Sequence, residues 1–485
     1  MSDALPKGWT EITLQDAGAW RTGGTPSRRK PEYFGKGIPW VKSGDLPDGP
    51  IVKTQEEISK LGLENSAAKL MPMGTISMAL YGATIGKLGV MTFPAATNQA
   101  CANVIPDTRL VEPKYLFNYL LSERRNFIEQ GQGGAQPNIS QGIVRSHPFP
   151  VAPRAEQRRI VAKLETLLGK VDGCQQRLLK IPVLLKRFRQ SVLAAACSGR
   201  LTADWREENP TIETAEVLLA RIKEKRLTSA KTQKEKTQIE EVFDERNLRD
   251  DEGDVGLDDI PDTWLSCRIG AIGTVCNGST PSRKQPEFWD GTIPWVSSGE
   301  VRNNLISETR ERITKAGYEG SSVRLLPRGS VLIAMIGEGK TRGQTAILRI
   351  EATINQNIAA VVLDHGLVAS GYLWRWFQLQ YEATRERGGG SGPQALNCQR
   401  VRELPFVLPP LPEQQEIVRR VEGLFALADQ LEVRLAKARG QVEKLTPSLL
   451  ARAFAGKLVP QDPTDEPAEK LLERVKTQTT KLQIP

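Results

Sequence analysis

Residues 25–44 read TPSRRKPEYFGKGIPWVKSG, and residues 280–299 read TPSRKQPEFWDGTIPWVSSG. Without a gap the two agree at twelve of twenty positions, 255 residues apart. Outward from this pair the correspondence continues in the same order. LPKGW (5–9) matches IPDTW (260–264), and ATNQACANV around Asn98 matches ATINQNIAAVV around Asn355. AQPNIS (135–140) resembles GPQALN (392–397), and VAPRAEQRRIVAKLETLL (151–168) resembles LPPLPEQQEIVRRVEGLF (408–425). SVLAAACSGRL (191–201) pairs with SLLARAFAGKL (448–458), and TAEVLLARIK (214–223) with PAEKLLERVK (467–476). The chain is therefore a tandem duplication, and one copy's plan predicts the other's.

Each copy changes period once. Its first 150 or so residues carry short apolar runs, TISMAL (75–80) and SVLIAMI (330–336), punctuated by Gly and Pro, which predicts short strands. From Glu156, residues Ile160, Val161, Leu164, Leu167, Leu168 and Val171 follow helical spacing, as do Ile417, Val418, Val421, Leu424 and Phe425. Each helical region of about 43 residues would span about 65 Å if continuous. Pro182 and Pro447 predict a kink or break in each, and Gly199 and Gly456 predict C-terminal caps. Two such stripes can bury one another as an antiparallel coiled coil. The expected class is α+β: two mixed, strand-rich heads joined by two long helical regions, with an internal pseudo-twofold repeat.

The totals bound the function. A chain of 485 residues exceeds one ordinary core, so two or three domains are expected. No apolar run reaches the roughly 18–20 residues of a membrane span, and MSDALPKGW has no signal-peptide pattern, so the cytoplasm is the expected location. Six scattered cysteines without C-x-x-C and only His147 and His365 make a disulfide frame, a zinc site or a histidine-based metal centre improbable. A net charge of +9 and a pI near 9.2 favour an acidic partner, nucleic acid first. Between the copies, Arg221–Lys236 holds seven basic residues against two acidic, and Glu240–Asp259 holds ten acidic against two basic. That pattern predicts a solvated helix and a flexible linker.

One catalytic motif matches. AMIGEGKT (334–341) fits a loose phosphate-loop pattern after an apolar run, which leaves a stand-alone NTP-binding enzyme as an alternative function. RGQTAILRI follows directly and predicts a strand, whereas a phosphate loop must open a helix. There is no Asn/Asp-Pro-Pro-Tyr/Phe for a flipped adenine, no clustered nuclease carboxylates and no Gly-x-Ser-x-Gly. A noncatalytic scaffold joining two proteins is the third possibility. A basic protein with two similar heads, two helical spacers and no active site suits a DNA reader, each head covering one half-site.

Within the heads, Arg and Lys suit phosphate, while Arg, Asn and Gln suit base edges. The DNA-binding candidates in the first head are Arg28, Arg29, Lys30, Lys42, Tyr81, Lys87, Asn98, Gln99, Gln136 and Asn138. In the second they are Arg283, Lys284, Lys340, Arg342, Asn355, Gln356, Gln394 and Asn397, with Glu338 on the same Gly-rich connection. Trp40 and Trp295 are expected in the core, and Thr-Pro-Ser as turn structure. Residues that differ between the copies at exposed loops, Gly82–Gly89 against Gly337–Gly343 above all, are where the two heads would read different bases.

The chain resembles the specificity subunit of type I restriction–modification enzymes. The carrying residues are TPSR with IPWV and Ser-Gly in both heads, EQRRIV and EQQEIV opening the helices, LAAACSGRL and LARAFAGKL closing them, and DEPAEKLLERVK (465–476). The resemblance implies target recognition domains at 1–153 and 260–410, a central helical region at 154–203, a charged linker at 204–259 and a C-terminal helical region at 411–485. It implies a noncatalytic subunit that recognises a bipartite, asymmetric site in double-stranded DNA and binds no cofactor itself. Two methyltransferase subunits would dock on the helices with S-adenosylmethionine. A motor–nuclease subunit would bring ATP and Mg. No membrane is implied.

Overall fold

Alternating and fully apolar runs in each head become two small sheets and a closing ribbon. The computed structural model describes residues 5–131, 138–244, 260–337, 340–364, 366–386 and 396–481. The first head has ten strands: β1 (Thr10–Thr13), β2 (Gly18–Thr22), β3 (Phe34–Val41), β4 (Gly49–Ile51), β5 (Glu56–Ile58), β6 (Ile76–Ala79), β7 (Leu88–Met91), β8 (Ala96–Thr97), β9 (Cys101–Pro106) and β10 (Pro148–Val151). A five-stranded sheet has the order β2-β9-β6-β7-β4, and a three-stranded sheet the order β5-β3-β8. The TISMAL run supplies β6, the middle strand, all four of whose residues are buried, Ser77 among them with its hydroxyl donated to Asn103 Oδ1. The pairs β4–β7 and β3–β8 are parallel and the rest antiparallel. The second head repeats this plan with β11 (Leu265–Arg268), β12 (Gly273–Asn277), β13 (Trp289–Val296), β14 (Asn304–Ile306), β15 (Glu311–Ile313), β16 (Val331–Ala334), β17 (Thr345–Leu348), β18 (Thr353–Ile354), β19 (Ile358–Leu363) and β20 (Pro405–Leu408). Its sheets run β12-β19-β16-β17-β14 and β15-β13-β18.

The ribbon seats the helix. β1 pairs antiparallel with β10, Thr10 opposite Val151, and the helix Arg154–Cys197 starts three residues later. Here the repeated Trp of LPKGW meets the repeated Glu of EQRRIV. Trp9 Nε1 donates to buried Glu156 Oε2 at 3.0 Å, and Trp264 Nε1 to buried Glu413 Oε2 at 2.7 Å. The next residue completes the joint. Gln157 Oε1 accepts from Glu112 N at 2.8 Å and its Nε2 donates to Ala152 O at 2.9 Å, while Gln414 bonds Ala369 N and Pro409 O, both at 2.8 Å. These buried polar groups, Glu156 Oε1 apart, have fixed partners, so they specify one helix entry geometry.

Contacts divide the chain into two units, Met1–Leu179 with Leu435–Pro485, and Lys180–Arg434. In the first, Arg439 Nη2 donates to Leu178 O at 3.1 Å, and Val161 and Leu168 share a core with Leu449 and Leu450. In the second, Arg189 pairs with Asp429 and Glu432, both at 2.6 Å, and Arg420 donates to Leu201 O and Asp204. Rising numbers on one helix meet falling numbers on the other, so the helices run antiparallel within each unit.

Two expectations are revised. Pro182 lies inside the single helix Arg154–Cys197 and does not end it. Proline removes the amide that would reach the carbonyl four residues back, and that carbonyl, Leu178 O, takes the Arg439 guanidinium instead. Pro447 behaves as expected, because Leu411–Glu443 ends before it and Leu445–Phe454 begins with it in the first turn. The second revision concerns the helix Ala215–Ser229. It buries Ala215, Leu218 and Leu219 ahead of the charged segment and Ile222 within it in the second unit's core, so the segment expected to be solvated is anchored at its start. Ala215 N donates to Thr263 O at 2.9 Å, and Ala468 N donates to Gly8 O at 2.9 Å at the equivalent place in the first unit. No described helix is long and apolar enough to cross a membrane.

The two joints differ in one respect. Glu413 Oε1 accepts from Thr202 Oγ1 at 2.7 Å and from Arg206 Nη1 at 2.5 Å, whereas Glu156 Oε1 is buried without a partner among the described residues. Burial accordingly holds the Glu156 carboxyl above its ordinary value, the bond from Trp9 opposing this only in part. A raised folded-state value means stability is full below the unfolded-state value and falls as pH rises through the folded one. Glu156→Gln should therefore stabilise the protein by roughly 1 kcal/mol at neutral pH and have no such effect near pH 4. Glu413→Gln breaks a buried pair and should cost roughly 3 kcal/mol. Urea unfolding of both variants at the two pH values checks this.

Candidate nucleic-acid interface

The repeated Thr-Pro-Ser loop is built from its tryptophan outward. Trp40 and Trp295 are buried, as expected, and their indoles donate to Gly24 O and Ser279 O at 3.1 Å each. The loop then passes so close to the neighbouring turn that only glycine fits before it. A Cβ on Gly23 would fall 1.9 Å from Asn98 O, and one on Gly278 would fall 1.8 Å from Ile354 O. Thr25 Oγ1 donates to Gln99 Oε1, and Thr280 Oγ1 donates to Gln356 Oε1. The opening motif and the amide motif of each copy, far apart in sequence, thus meet in both heads.

A second pair of segments joins them. Ile139 N donates to Leu80 O at 2.8 Å, and Leu396 N donates to Met335 O at 2.9 Å. Tyr81 bridges to Asn138 through the backbone. The turns that follow use positive φ at Gly82 (76°) and Gly337 (122°). Each turn is held by the next helical segment: Arg124 Nε donates to Gly86 O at 2.8 Å, and Tyr381 Oη donates to Lys340 O at 2.7 Å. Sequence reading missed Arg124, Tyr381 and Arg385, because nothing in their spacing ties them to a turn some forty residues upstream.

The candidates separate by what they already hold. Arg28 pairs with Glu56 at 2.7 Å and lies 4.4 Å over Phe34 and 5.4 Å over Trp40. Lys42 meets the other Glu56 oxygen at 2.7 Å. Arg283 pairs with Glu311 at 2.5 Å and lies 3.6 Å over Trp289. The Lys42 and Arg28 bonds hold the Glu56 carboxyl below its ordinary value, and Arg283 does the same for Glu311. The shared arginine of TPSR is therefore stacked and neutralised. Lys30 reaches Tyr33 Oη at 3.0 Å. Asn355 is buried, its Oδ1 accepting from Asn357 N, while Asn98 Oδ1 accepts from Cys101 Sγ. Arg342 is buried and donates to Arg385 O. Asn397 caps the helix Cys398–Glu403 by accepting from Arg400 N at 2.8 Å. Arg29, Lys87, Asn138, Lys284, Lys340, Gln99 and Gln356 are exposed on the converging loops. Gln136, Gln394 and Glu338 lie outside the described residues.

The phosphate-loop alternative fails on geometry. β16 ends at Ala334, residues 340–343 form turns, and β17 begins at Thr345, so among the described residues no helix opens after the glycines. Among the described residues there is no group of His, Cys, Asp or Glu able to hold a metal ion.

A type I restriction modification DNA specificity domain is matched twice, at residues 6–182 and 261–437. The EcoDI type I restriction enzyme specificity subunit of Escherichia coli is 26% identical over 90% of this chain and 89% of its own length. The StySPI specificity subunit of Salmonella potsdam is 27% identical over 98% and 96%. The EcoBI specificity subunit of Escherichia coli is 30% identical over 70% and 66%. In fold, the chain is similar to the crystal structure of the HsdS subunit from Thermoanaerobacter tengcongensis, with a TM-score of 0.59 at 16% identity, over 94% of this chain and 99% of that one. It is also similar to a chain from a structure on complex assembly and conformational transition of the type I R-M system, with a TM-score of 0.63 at 17% identity, over 94% and 100%.

Arg283→Ala should lower the stability of the second unit by about 1 kcal/mol, the sum of an exposed ion pair and a cation–π contact. Arg29→Ala, which removes no contact among the described residues, should leave the unfolding midpoint unchanged. Tryptophan fluorescence during urea unfolding distinguishes them.

Proposed function

Because the chain belongs to the family of type I restriction modification DNA specificity proteins, we propose how it reads DNA and with what it assembles. Its role is that of the DNA-specificity subunit of a type I restriction–modification system, with catalysis in other subunits. Residues 1–153 and 260–410 are the two target recognition domains, each reading one half of a bipartite, asymmetric site. The helical regions 154–203 and 411–485, paired as an antiparallel coiled coil, set the distance between half-sites, with 204–259 as the charged connection.

The observation that carries this reading is the convergence, in both heads, of the Thr-Pro-Ser loop and the amide turn through Thr25–Gln99 and Thr280–Gln356, and of the amide turn and the Gly-rich connection through Leu80 N to Ala100 O and Met335 N to Asn357 O. It gathers exposed amides and lysines on one rigid surface per head. Arg29, Lys30, Lys87, Lys284 and Lys340 meet phosphates, and Gln99, Gln356 and Asn138 face base edges, with Gln136 and Gln394 on the adjoining loops. Arg28, Lys42, Arg283, Arg342, Asn98, Asn355 and Asn397 hold these surfaces in shape. Two methyltransferase subunits bring S-adenosylmethionine, and a motor–nuclease subunit brings ATP and Mg. The complex works in the cytoplasm.

Footprinting of the chain with its methyltransferase should protect two short segments separated by several base pairs. One continuous protected half-site would refute the reading. Arg29→Ala should weaken binding to all sequences alike and flatten the log K against log salt slope by about 1. A change of sequence preference instead would move Arg29 from phosphate to base.

A further inference from the structure

The helix Gln233–Val242 follows Ala215–Ser229 and lies outside the segments that repeat. With the second head, these two helices border a cavity of about 580 Å³. Three arginines line it: Arg226 from Ala215–Ser229, Arg268 at the end of β11, and Arg402 from the helix Cys398–Glu403. Gly270, two residues beyond Arg268, brings them together. Its carbonyl accepts from Arg226 Nη1 at 2.6 Å, and a Cβ on it would fall 3.3 Å from Arg402 Cβ.

None of the three guanidinium groups is neutralised. Arg226 donates to the carbonyls of Gly270 and Ala271, and Arg402 to Val275 O and Gln399 Oε1, all uncharged acceptors. The Nε atoms of Arg226 and Arg268 are buried without a partner among the described residues. Glu235, Glu241 and Glu403 also line the cavity, but each is engaged. Glu235 accepts from Lys231 N at 2.7 Å and Thr232 N at 3.2 Å, and Glu403 from Gln399 Nε2 at 2.6 Å. Among the described residues no ion pair joins these carboxylates to the three arginines. Burial accordingly pushes the Arg226 guanidinium down to about 10. The shared fold does not demand this arrangement. At the matching positions the first copy has Thr13 for Arg268 and Thr479 for Arg226, and only Arg145 corresponds to Arg402.

Buried cations without counter-charge are costly unless an anion completes them. Phosphate offers enough oxygens and charge for several guanidinium forks, where a carboxylate offers two oxygens and one charge. The cavity has the size of a small-molecule site, with room beyond a phosphate group, and Ile239, Val242 and Val275 give it an apolar wall. We propose that the second unit binds the phosphate group of a small molecule in this cavity, held by Arg226, Arg268 and Arg402. The bound group fastens Gln233–Val242 to the second head. The site shares no residue with the DNA-reading candidates, so it stands or falls apart from the reading of the half-sites.

The test is equilibrium dialysis of the full chain, without DNA, against inorganic phosphate and against AMP, with adenosine as the control. Phosphate and AMP should each bind at one site per chain, and adenosine should not. Tighter binding of AMP assigns the site to a phosphate ester lying along the apolar wall, and equal affinity assigns it to the free ion. Arg268→Gln should weaken binding by about tenfold or more, as for a lost charge-assisted hydrogen bond. This variant removes no contact among the described residues, so a folded chain is expected and circular dichroism checks it. Hydrogen exchange should show residues 233–242 gaining protection when AMP is added, and losing that gain in Arg268→Gln. No binding of either probe, binding unchanged by Arg268→Gln, or protection gained only in the heads' loops overturns the proposal.

Discussion

A tryptophan indole donating to a buried glutamate is the joint on which each half of this protein is assembled. Trp9 with Glu156, and Trp264 with Glu413, tie a head's entry strand to the first turn of the helix that leaves it. A buried carboxylate tolerates few alternatives, so the bond fixes both the start of the helix and its direction. The glutamine that follows each Glu closes the remaining backbone groups, Glu112 N in one case and Ala369 N in the other. The other end of each helical region returns to a head in the same manner. Gly456 adopts positive φ where any side chain would meet Pro6, and Gly199 does so against Pro261. Each head is thus held by the start of its own helix and by the end of the other copy's helical region.

That cyclic arrangement explains which letters repeat. Pro and Trp of LPKGW and IPDTW, Glu and Gln opening the helices, and Gly closing them are widely separated in sequence, yet within each unit they occupy one joint. Their repetition is a matter of packing. The shared TPSR arginines belong with them: Arg28 and Arg283 lie on aromatic faces and pair with Glu56 and Glu311. A guanidinium so engaged serves the loop's shape, and the neighbouring Arg29 and Lys284 are exposed beside it.

Much of the fold was legible because duplication supplies an internal control. The helical period, its caps and the strand-rich heads were each readable twice. What could not be read were interactions between residues with no periodic relation. The repair of the Pro182 gap by Arg439 depends on a helix some 260 residues away, and no local rule anticipates a guanidinium in place of a missing amide. The helix Ala215–Ser229 looked solvated because its charges dominate its composition, yet four residues on one face suffice to bury it. Among the site candidates, the amides of Gln99 and Gln356 were legible as a pair. Their engagement by Thr25 and Thr280 was not, since a threonine in a Pro-bounded loop reads equally well as turn structure.

Where the copies differ is as informative as where they agree. At the joint, Thr202 and Arg206 serve Glu413, and the corresponding residues in the other copy are Val459 and Pro463, neither of which can donate through a side chain. The first unit therefore retains the Trp–Glu bond while one carboxylate oxygen has no donor among the described residues. At the reading surface the logic is inverted. The Thr–Gln pair and the carbonyl clamp are retained in both heads, while the residue beside the clamp is Tyr81 in one and Ile336 in the other. A frame held at both ends permits that exchange of side chain without moving the backbone that carries it.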